Sequence, residues 1–415
     1  MMSLTSNSYL WGESTKERRW ESAQGSKLKG VVTDFRNGVA TLVGSKNGKK
    51  LTLKLEQFSP KDQAFLREHF KEQIAEEEKK ATEVSSLGKD FKASGPAKAS
   101  DKSRYWYHVP STAVKTGDAP VLFWVGAGGG KKADLKAFAE ASELTGVVLA
   151  ASLEARNQTD WLEVNWKHTD TCLDHLKKNH GVDRKRVIFS GNSGGGASSW
   201  YNSTQTSCIG AIPYVGYVPQ GTKPNKKNLY YVLTGAHDFN RYLSAQDALA
   251  FKDRAVHMTY PGGHWNGPAE RAADALIWVY ARHIFEKKEK YPEEAAAFSK
   301  RLTSWLQAQS KTNPGRALYW ADDLTSLKDL PEDLQAPLQG IKKQHESDEL
   351  LTLELAGRKE LLNFSPEFLA EVEGRGSKSK HLSNKIERAA KRLEKKYAEI
   401  PWLQKTFADL AKPTS

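Results

Sequence analysis

Cysteine is scarce in this chain: only Cys172 and Cys208 occur among its 415 residues. Two thiols are too few for a cysteine-rich zinc site, and their spacing fits no metal pattern. We therefore predict no metal site and no cofactor. Two buried thiols are the ordinary arrangement for such a pair, and a single disulfide is the alternative that the sequence leaves open.

Long apolar runs are also missing. A membrane-spanning helix needs about 20 consecutive apolar residues, and no stretch of the sequence approaches that length. The opening segment, MMSLTSNSYLWGESTKERRW, has no apolar region of the kind that a secretory signal requires. We expect no membrane span and no signal peptide in the chain as given.

A concentrated basic arm is absent as well, although the net charge is +12. Lysine and arginine exceed aspartate and glutamate by 19 to 14 in residues 1–103, by 20 to 16 in 104–286 and by 23 to 20 in 287–415. Binding a phosphate backbone requires basic side chains gathered on one face. The thin excess favours a solvated surface and no nucleic-acid partner, and leaves open a contact with acidic polymers or cell-wall surfaces.

Residues 18–75, after an N-terminal tail of residues 1–17, have the pattern of a small β module. Three short alternating runs are joined by Asn37-Gly38 and Asn47-Gly48, and Asn-Gly pairs favour tight hairpins because both residues tolerate positive φ. A helix then starts at SPKDQAFLREHF with a Ser-x-x-Asp cap. Residues 76–103, rich in Lys, Ala, Ser and Gly, are predicted to be a charged linker.

This module resembles the SLA1 homology domain 1, a small SH3-like β-barrel. The matching residues are Arg19-Trp20, the stretches GVVTDFRNGVATL and GKKLTLKLEQFS, and Asp62-Gln63. The resemblance implies an interaction module without chemistry of its own, which contacts a protein or a cell surface.

Residues 104–288 alternate short apolar runs with helical stretches. The strand-like runs are RYWYHVP, APVLFWVG, GVVLAAS, RVIFSG, IGAIPYV, LYYVLTG and AVHMTY. Continuous rather than alternating apolar strands, separated by helices, predict an α/β domain with a mostly parallel sheet covered on both faces. Residues 289–415 hold only helical patterns with many charge pairs, and we predict a helical C-terminal region, either an appendage or an oligomerisation arm.

One serine stands among glycines directly after a buried strand, in VIFSGNSGGGASSW. A G-x-S-x-G pattern between a strand and a helix forces the serine onto a sharp turn that exposes its hydroxyl, and Ser193 is the predicted nucleophile. The backbone N–H of Gly194, at the start of the helix, would face a developing oxyanion. The alternative is a glycine-rich turn that packs a helix tightly on its sheet.

A phosphate-binding loop is the main alternative explanation for the glycines, but the sequence lacks the residue spacing that such a loop requires. A P-loop before Gly130-Lys131 needs a glycine at position 125, which is valine, and a hydroxyl at position 132, which is lysine. The dinucleotide pattern G-x-G-x-x-G fails too, since its third glycine falls on Lys131. These glycines therefore predict no nucleotide cofactor.

The partners that a serine nucleophile needs occur later, in the order Ser, Asp, His. Asp238 follows the strand LYYVLTG, and His264 lies on a glycine-rich loop after the strand AVHMTY. Histidine takes the serine proton and the carboxylate fixes the histidine tautomer. A loop cap is the alternative for Asp238, and a hydrogen-bonded loop histidine is the alternative for His264.

A second glycine-rich loop, in VLFWVGAGGGKKADL, follows an earlier strand and precedes a helix. Hydrolases whose nucleophilic serine lies on a strand-to-helix turn take a second oxyanion donor from such a loop. Ala127 or Gly128 is therefore the predicted donor. A flexible glycine turn is the alternative. Trp265, next to His264, is predicted to form an aromatic or sugar-binding wall for the substrate.

With these motifs the central region resembles the α/β-hydrolases, and among them the poly(3-hydroxybutyrate) depolymerases and feruloyl and acetylxylan esterases. The motifs that carry the resemblance are GNSGGG, TGAHDFN and GGHWNGP. The chain departs from that group in two places: it has Val125-Gly126-Ala127-Gly128-Gly129 where the group usually has a His-Gly pair, and the neighbours of its serine differ. The resemblance implies a secreted or periplasmic location, which the missing signal peptide does not support.

The sequence thus predicts a serine ester hydrolase that works through an acyl-enzyme, on carboxylic esters of polysaccharide, aromatic or polyester type that are free or polymer-linked. A serine peptidase of the same fold is one alternative. The other is a non-catalytic interaction protein with a hydrolase-like core.

Overall fold

A computed structural model of the chain describes residues 14–36, 39–46, 48–71, 91–95, 103–114, 117–158, 160–265, 267–373 and 379–412. The chain forms two compact units, Met1–Lys89 and Asp90–Ser415. The strands of the central region and the C-terminal helices, predicted as separate regions with a boundary at residue 288, belong to the same unit.

In its described residues, the first unit is a four-stranded antiparallel sheet followed by one α-helix. Its strands β1 (Arg18–Glu21), β2 (Lys27–Arg36), β3 (Val39–Gly44) and β4 (Lys50–Lys54) follow each other in chain order across the sheet. Helix α1 (Pro60–His69) begins after Ser59, whose hydroxyl accepts a hydrogen bond from the Asp62 N–H. The core consists of Trp20, Val32, Phe35, Ala40, Leu42, Leu55, Phe58, Leu66 and Phe70.

Two details differ from the prediction for this unit. Thr15, assigned to an N-terminal tail, is buried and exchanges two hydrogen bonds with Val32, so the ordered chain begins before residue 18. The structure shows a four-stranded antiparallel sheet with an isolated bridge between Ser22 and Phe58, and the SH3-like barrel is not confirmed. The turn residues Asn37, Gly38 and Asn47 lie outside the described residues.

The second unit is built on an eight-stranded sheet in the order β12-β11-β10-β9-β7-β8-β6-β5. The strands are β5 (Lys92–Ala93), β6 (Tyr105–His108), β7 (Ala119–Val125), β8 (Val148–Ser152), β9 (Val182–Asn192), β10 (Gly210–Tyr214), β11 (Leu229–Gly235) and β12 (Ala255–Tyr260). The six strands from β7 to β12 are parallel, while β6 runs antiparallel to β8 and β5 antiparallel to β6. The predicted mostly parallel sheet is confirmed.

The start of this sheet corrects the predicted linker of residues 76–103. Lys92 and Ala93 pair with Tyr107 and Trp106, and Phe91 is buried, so the sheet begins inside that segment. A strand of two residues carries no periodic pattern, and backbone pairing to β6 defines it instead. The remainder of the segment, residues 76–90 and 96–102, lies outside the described residues.

Helices cover the sheet, and further helices follow in the described residues as far as Leu410. The first six are α2 (Lys132–Lys136), α3 (Ala139–Thr145), α4 (Trp161–His180), α5 (Gly194–Gln205), α6 (Arg241–Leu249) and α7 (Ala269–Glu286). The C-terminal region adds α8 (Pro292–Thr312), α9 (Pro314–Thr325), α10 (Glu332–His345), α11 (Glu349–Glu373), α12 (Ser379–Lys396) and α13 (Pro401–Leu410). Within the described residues, none of the helices has the length and apolar content of a membrane span.

Buried polar contacts join the C-terminal helices to the sheet domain. Asp274 on α7 is buried and accepts hydrogen bonds from Arg316 Nε and Trp320 Nε1 on α9, each at 2.9 Å. Arg186 on β9 forms a two-pronged ion pair with Glu294 on α8, with both distances 2.8 Å. Breaking a buried pair of this kind costs several kcal/mol, so these contacts make the C-terminal helices part of the same folded body.

Candidate active site

The turn at Ser193 connects the central strand β9 directly to helix α5. Ser193 has φ 54° and ψ −119°, a conformation that residues with a side chain rarely adopt. The turn is held by the Ser193 N–H, which donates to the carbonyl oxygen of Tyr214 at 3.0 Å. This strained conformation is the one that a nucleophile at a strand-to-helix turn requires.

The flanking glycines are required because the backbone of β7 passes close to the turn. A Cβ on Gly191 would lie 2.3 Å from the Val125 carbonyl oxygen, and a Cβ on Gly195 would lie 1.9 Å from the same atom. Neither distance is possible between real atoms, and a strand carbonyl cannot move away without breaking the sheet. The G-x-S-x-G spacing is therefore a packing requirement in this chain.

The structure brings Ser193, His264 and Asp238 together. His264 Nε2 lies 2.7 Å from Ser193 Oγ, and His264 Nδ1 lies 2.7 Å from Asp238 Oδ2. A carboxylate only accepts hydrogen bonds, so the proton of the neutral ring sits on Nδ1 and the lone pair on Nε2 faces the serine hydroxyl. This arrangement leaves Nε2 able to take the proton of Ser193.

Asp238 is completely buried after strand β11. Its second oxygen, Oδ1, accepts a hydrogen bond from the Asn240 N–H at 2.6 Å. Burial raises the pKa of Asp238, while the hydrogen bonds from Asn240 and His264 act in the opposite direction. The residue that precedes helix α6 is Asn240, so Asp238 is not the cap of that helix.

The face of the His264 ring is covered by Phe239, a contact that the sequence does not predict. The ring centroids are 4.2 Å apart with 20° between the planes, and Phe239 is 54% exposed. The only sequence signal was its place directly after the predicted acid. Trp265 is 77% exposed, and its backbone carbonyl accepts a hydrogen bond from the Tyr260 hydroxyl.

The predicted oxyanion donors lie on two segments that meet at the turn. Gly194 is the first residue of α5, where the helix itself offers no partner for the N–H. Ala127 N lies 3.5 Å from the side-chain oxygen of Asn192, which is the residue before Ser193. Gly128 pairs with Arg156 in an isolated antiparallel bridge. The loop after β7 is thus held against the segment that carries Ser193.

Other histidines have local structural contacts. Burial lowers the pKa of His257 to about 3, and its Nε2 contacts the Thr234 hydroxyl at 2.7 Å. His175 Nδ1 contacts the Tyr105 hydroxyl at 2.6 Å. In the part of the chain that the structure describes, no three His, Cys, Asp or Glu residues are placed to hold a metal ion. Cys172 and Cys208, both in that part, form no disulfide.

Neither a protein-family model nor a curated protein sequence matches this chain. Several solved structures are similar to parts of it. An esterase from Pyrobaculum calidifontis is 12% identical, with a TM-score of 0.37 over 52% of this chain and 91% of that protein. The esterase Est2 from Thermogutta terrifontis is 14% identical, with a TM-score of 0.38 over 48% and 93%.

An acetyl xylan esterase from Aspergillus awamori is 11% identical, with a TM-score of 0.36 over 46% of this chain and 99% of that protein. The fold of this chain follows from its own strand order. A central parallel sheet whose middle strand, β9, ends in a sharp turn at Ser193 before helix α5 is an α/β-hydrolase-like fold.

Proposed function

We propose that the chain is a serine ester hydrolase in which Ser193, His264 and Asp238 form a catalytic triad. The observation that carries the proposal is the position of one imidazole ring, which contacts Ser193 Oγ and Asp238 Oδ2 at 2.7 Å each. Three residues of the required types, far apart in the chain, make both contacts at the carboxyl edge of one parallel sheet. Such an edge is where open α/β sheets carry their sites.

The reaction proceeds in two halves. Ser193 Oγ attacks the ester carbonyl while His264 Nε2 takes the hydroxyl proton, and the carbonyl oxygen becomes an oxyanion. Asp238 stabilises the imidazolium that forms. The imidazolium then gives its proton to the departing alcohol oxygen as the C–O bond breaks, which leaves an ester between the acyl group and Ser193.

The second half repeats these steps with water. His264 takes a proton from water, whose oxygen attacks the acyl carbon. The bond to Ser193 Oγ breaks, the serine regains its proton from His264, and the carboxylic acid leaves. In both halves the oxyanion receives hydrogen bonds from the N–H of Gly194 and from Ala127 or Gly128, as a preorganised oxyanion hole requires.

Exposed apolar side chains support a substrate with an aromatic or aliphatic part. Seven large hydrophobic residues among those described are exposed, and five of them lie on segments that follow β10, β11 and β12: Tyr217, Phe239, Leu243, Leu249 and Trp265. Asp238 and His264 lie on these same segments. We propose that Trp265 contacts the substrate, and that aromatic or polyester-type esters suit this surface better than acetylated sugars.

The first unit contributes no group to this chemistry in our proposal. Its resemblance to an SH3-like interaction domain supports a role in contacting a protein or a cell surface, which would bring the hydrolase to a polymer-linked substrate. Hydrolysis of a free, small ester would not need the first unit to make that contact.

Hydrolysis of p-nitrophenyl acetate by the purified full-length chain tests the proposal. We expect turnover by the wild type, and a loss of at least about 1,000-fold in kcat for Ser193→Ala and for His264→Ala, since removal of a triad member has effects of that size. A phosphonate ester probe should add its mass to Ser193 in the wild type and to no residue in Ser193→Ala. Equal hydrolysis by the wild type and Ser193→Ala would refute the proposed function.

A further inference from the structure

Asn157 lies on the loop after strand β8, and its backbone is fixed to the loop that carries two of the proposed oxyanion donors. Its N–H donates to the carbonyl oxygen of Ala127 at 2.8 Å. Its neighbour Arg156 pairs with Gly128 in the antiparallel bridge. The position of Asn157 relative to the loop after β7 is therefore set by the backbone of both segments.

The side chain of Asn157 fills the space in which a side chain at position 194 would stand. A Cβ built on Gly194 would lie 2.0 Å from Asn157 Oδ1, 2.5 Å from Cγ and 2.6 Å from Nδ2. The whole amide group thus rests against the α-carbon of Gly194. Gly194 follows the nucleophile and supplies one of the oxyanion donors, so a second polar group stands beside that donor.

No protein atom in the described residues forms a hydrogen bond with the side-chain amide of Asn157. The residue is exposed. An amide without a partner can turn about its last bond at little cost and present Nδ2 or Oδ1 to the site.

We propose that Asn157 Nδ2 donates a hydrogen bond to the oxyanion of the tetrahedral intermediate and is a catalytic residue. This inference rests on the proposed function. A side-chain amide adds to the backbone donors without a change of charge, and it is held by the same loops that hold those donors. Because negative charge on the substrate oxygen develops only along the reaction path, the bond stabilises the transition state more than the bound ester.

Asn157→Ala and Asn157→Asp separate this role from a structural one. We expect kcat for p-nitrophenyl acetate to fall by about 10- to 1,000-fold in Asn157→Ala, with KM changed less than about threefold, because loss of one oxyanion donor acts mainly on kcat. Asn157→Asp keeps the shape but replaces the donor by a negatively charged acceptor, and its kcat should fall at least as far. Gln158→Ala, an exposed neighbour outside this contact, is the matched control and should keep wild-type kcat.

The outcomes distinguish this inference from the function on which it rests. If the wild type hydrolyses the ester, Ser193→Ala does not, and Asn157→Ala keeps kcat within twofold of the wild type, then the role of Asn157 is refuted and the proposed function stands. If the wild type and Ser193→Ala react equally, both are refuted. Thermal unfolding of each variant at the wild-type temperature excludes a folding defect as the cause of a lower kcat.

Discussion

Asp238 and His264 lie 26 residues apart in the chain, on the loops that follow two adjacent parallel strands, and their side chains meet at 2.7 Å. The acid is completely buried, whereas the histidine side chain is 25% exposed. The pair therefore has one end fixed inside the protein and the other end partly open to solvent.

Asp238→Asn should remove activity while it preserves the fold. The amide can keep the hydrogen bond from Asn240, but it presents either a donor or a weaker, neutral acceptor to His264 Nδ1. The charge that stabilises the imidazolium is lost, and with an NH₂ group facing Nδ1 the ring adopts the wrong tautomer. We expect kcat for p-nitrophenyl acetate to fall by about 1,000- to 10,000-fold.

The thermal midpoint of this variant should equal or exceed that of the wild type, because burial raises the pKa of Asp238 and a neutral group is easier to bury. A kcat within tenfold of the wild-type value would contradict the assignment of the acid.

Gly195 and Gly340 form a matched pair that tests the packing of the turn. A Cβ at Gly195 would lie 1.9 Å from the Val125 carbonyl oxygen, whereas a Cβ at Gly340 on α10 meets no atom within 4 Å. Gly195→Ala should lower the free energy of unfolding by about 3 kcal/mol or more. Gly340→Ala should raise it by about 0.5–1 kcal/mol, because alanine favours a helix.

Urea unfolding followed by circular dichroism measures both changes. A Gly195→Ala protein as stable as the wild type would show that the turn and strand β7 do not approach each other as described.

Much of this arrangement was predictable, because the local pattern carries it. The strand, the turn and the helix around Ser193 are contiguous in sequence, and strand order then places Asp238 and His264 at the same edge. Phe239 and Asn157 were not predictable, since an exposed side chain on a loop gives no periodic signal and its contacts depend on the final loop conformation. The same holds for the ion pair of Asp274 and Arg316, which joins two helices whose packing no local pattern specifies.

Asp247 on α6 should make stability depend on pH. Its Oδ2 accepts a hydrogen bond from the Val218 N–H at 2.6 Å, and burial raises its pKa to about 6 from an ordinary value of 3.8. The folded protein therefore binds this proton more tightly than the unfolded chain. Its contribution to stability is complete below about pH 3.8 and is lost as the pH rises through about 6.

Asp247→Asn keeps an acceptor for Val218 and cannot ionise. Relative to the wild type, the variant should gain stability as the pH increases from 4 to 7.5, which urea midpoints at the two pH values measure. A constant difference between variant and wild type would show that Asp247 does not titrate in this range.

Trp265 should affect the choice of substrate more than the chemistry. It adjoins His264 in the chain and is 77% exposed, so most of its large apolar surface is open to solvent. Covering that surface with an aromatic or long acyl group removes apolar area from water, whereas an acetyl group is too small to reach far across it. We expect Trp265→Ala to raise KM about 5- to 30-fold for esters with aromatic or long acyl groups, the factor that a loss of about 1–2 kcal/mol of binding gives. KM for p-nitrophenyl acetate should rise less, and kcat for both substrates should stay within about threefold.

Val109→Ala, which truncates an exposed apolar residue after β6, serves as the control and should leave both KM values unchanged. Equal increases of KM for the short and the long esters in Trp265→Ala would mean that Trp265 supports the loop of His264 and does not contact the acyl group.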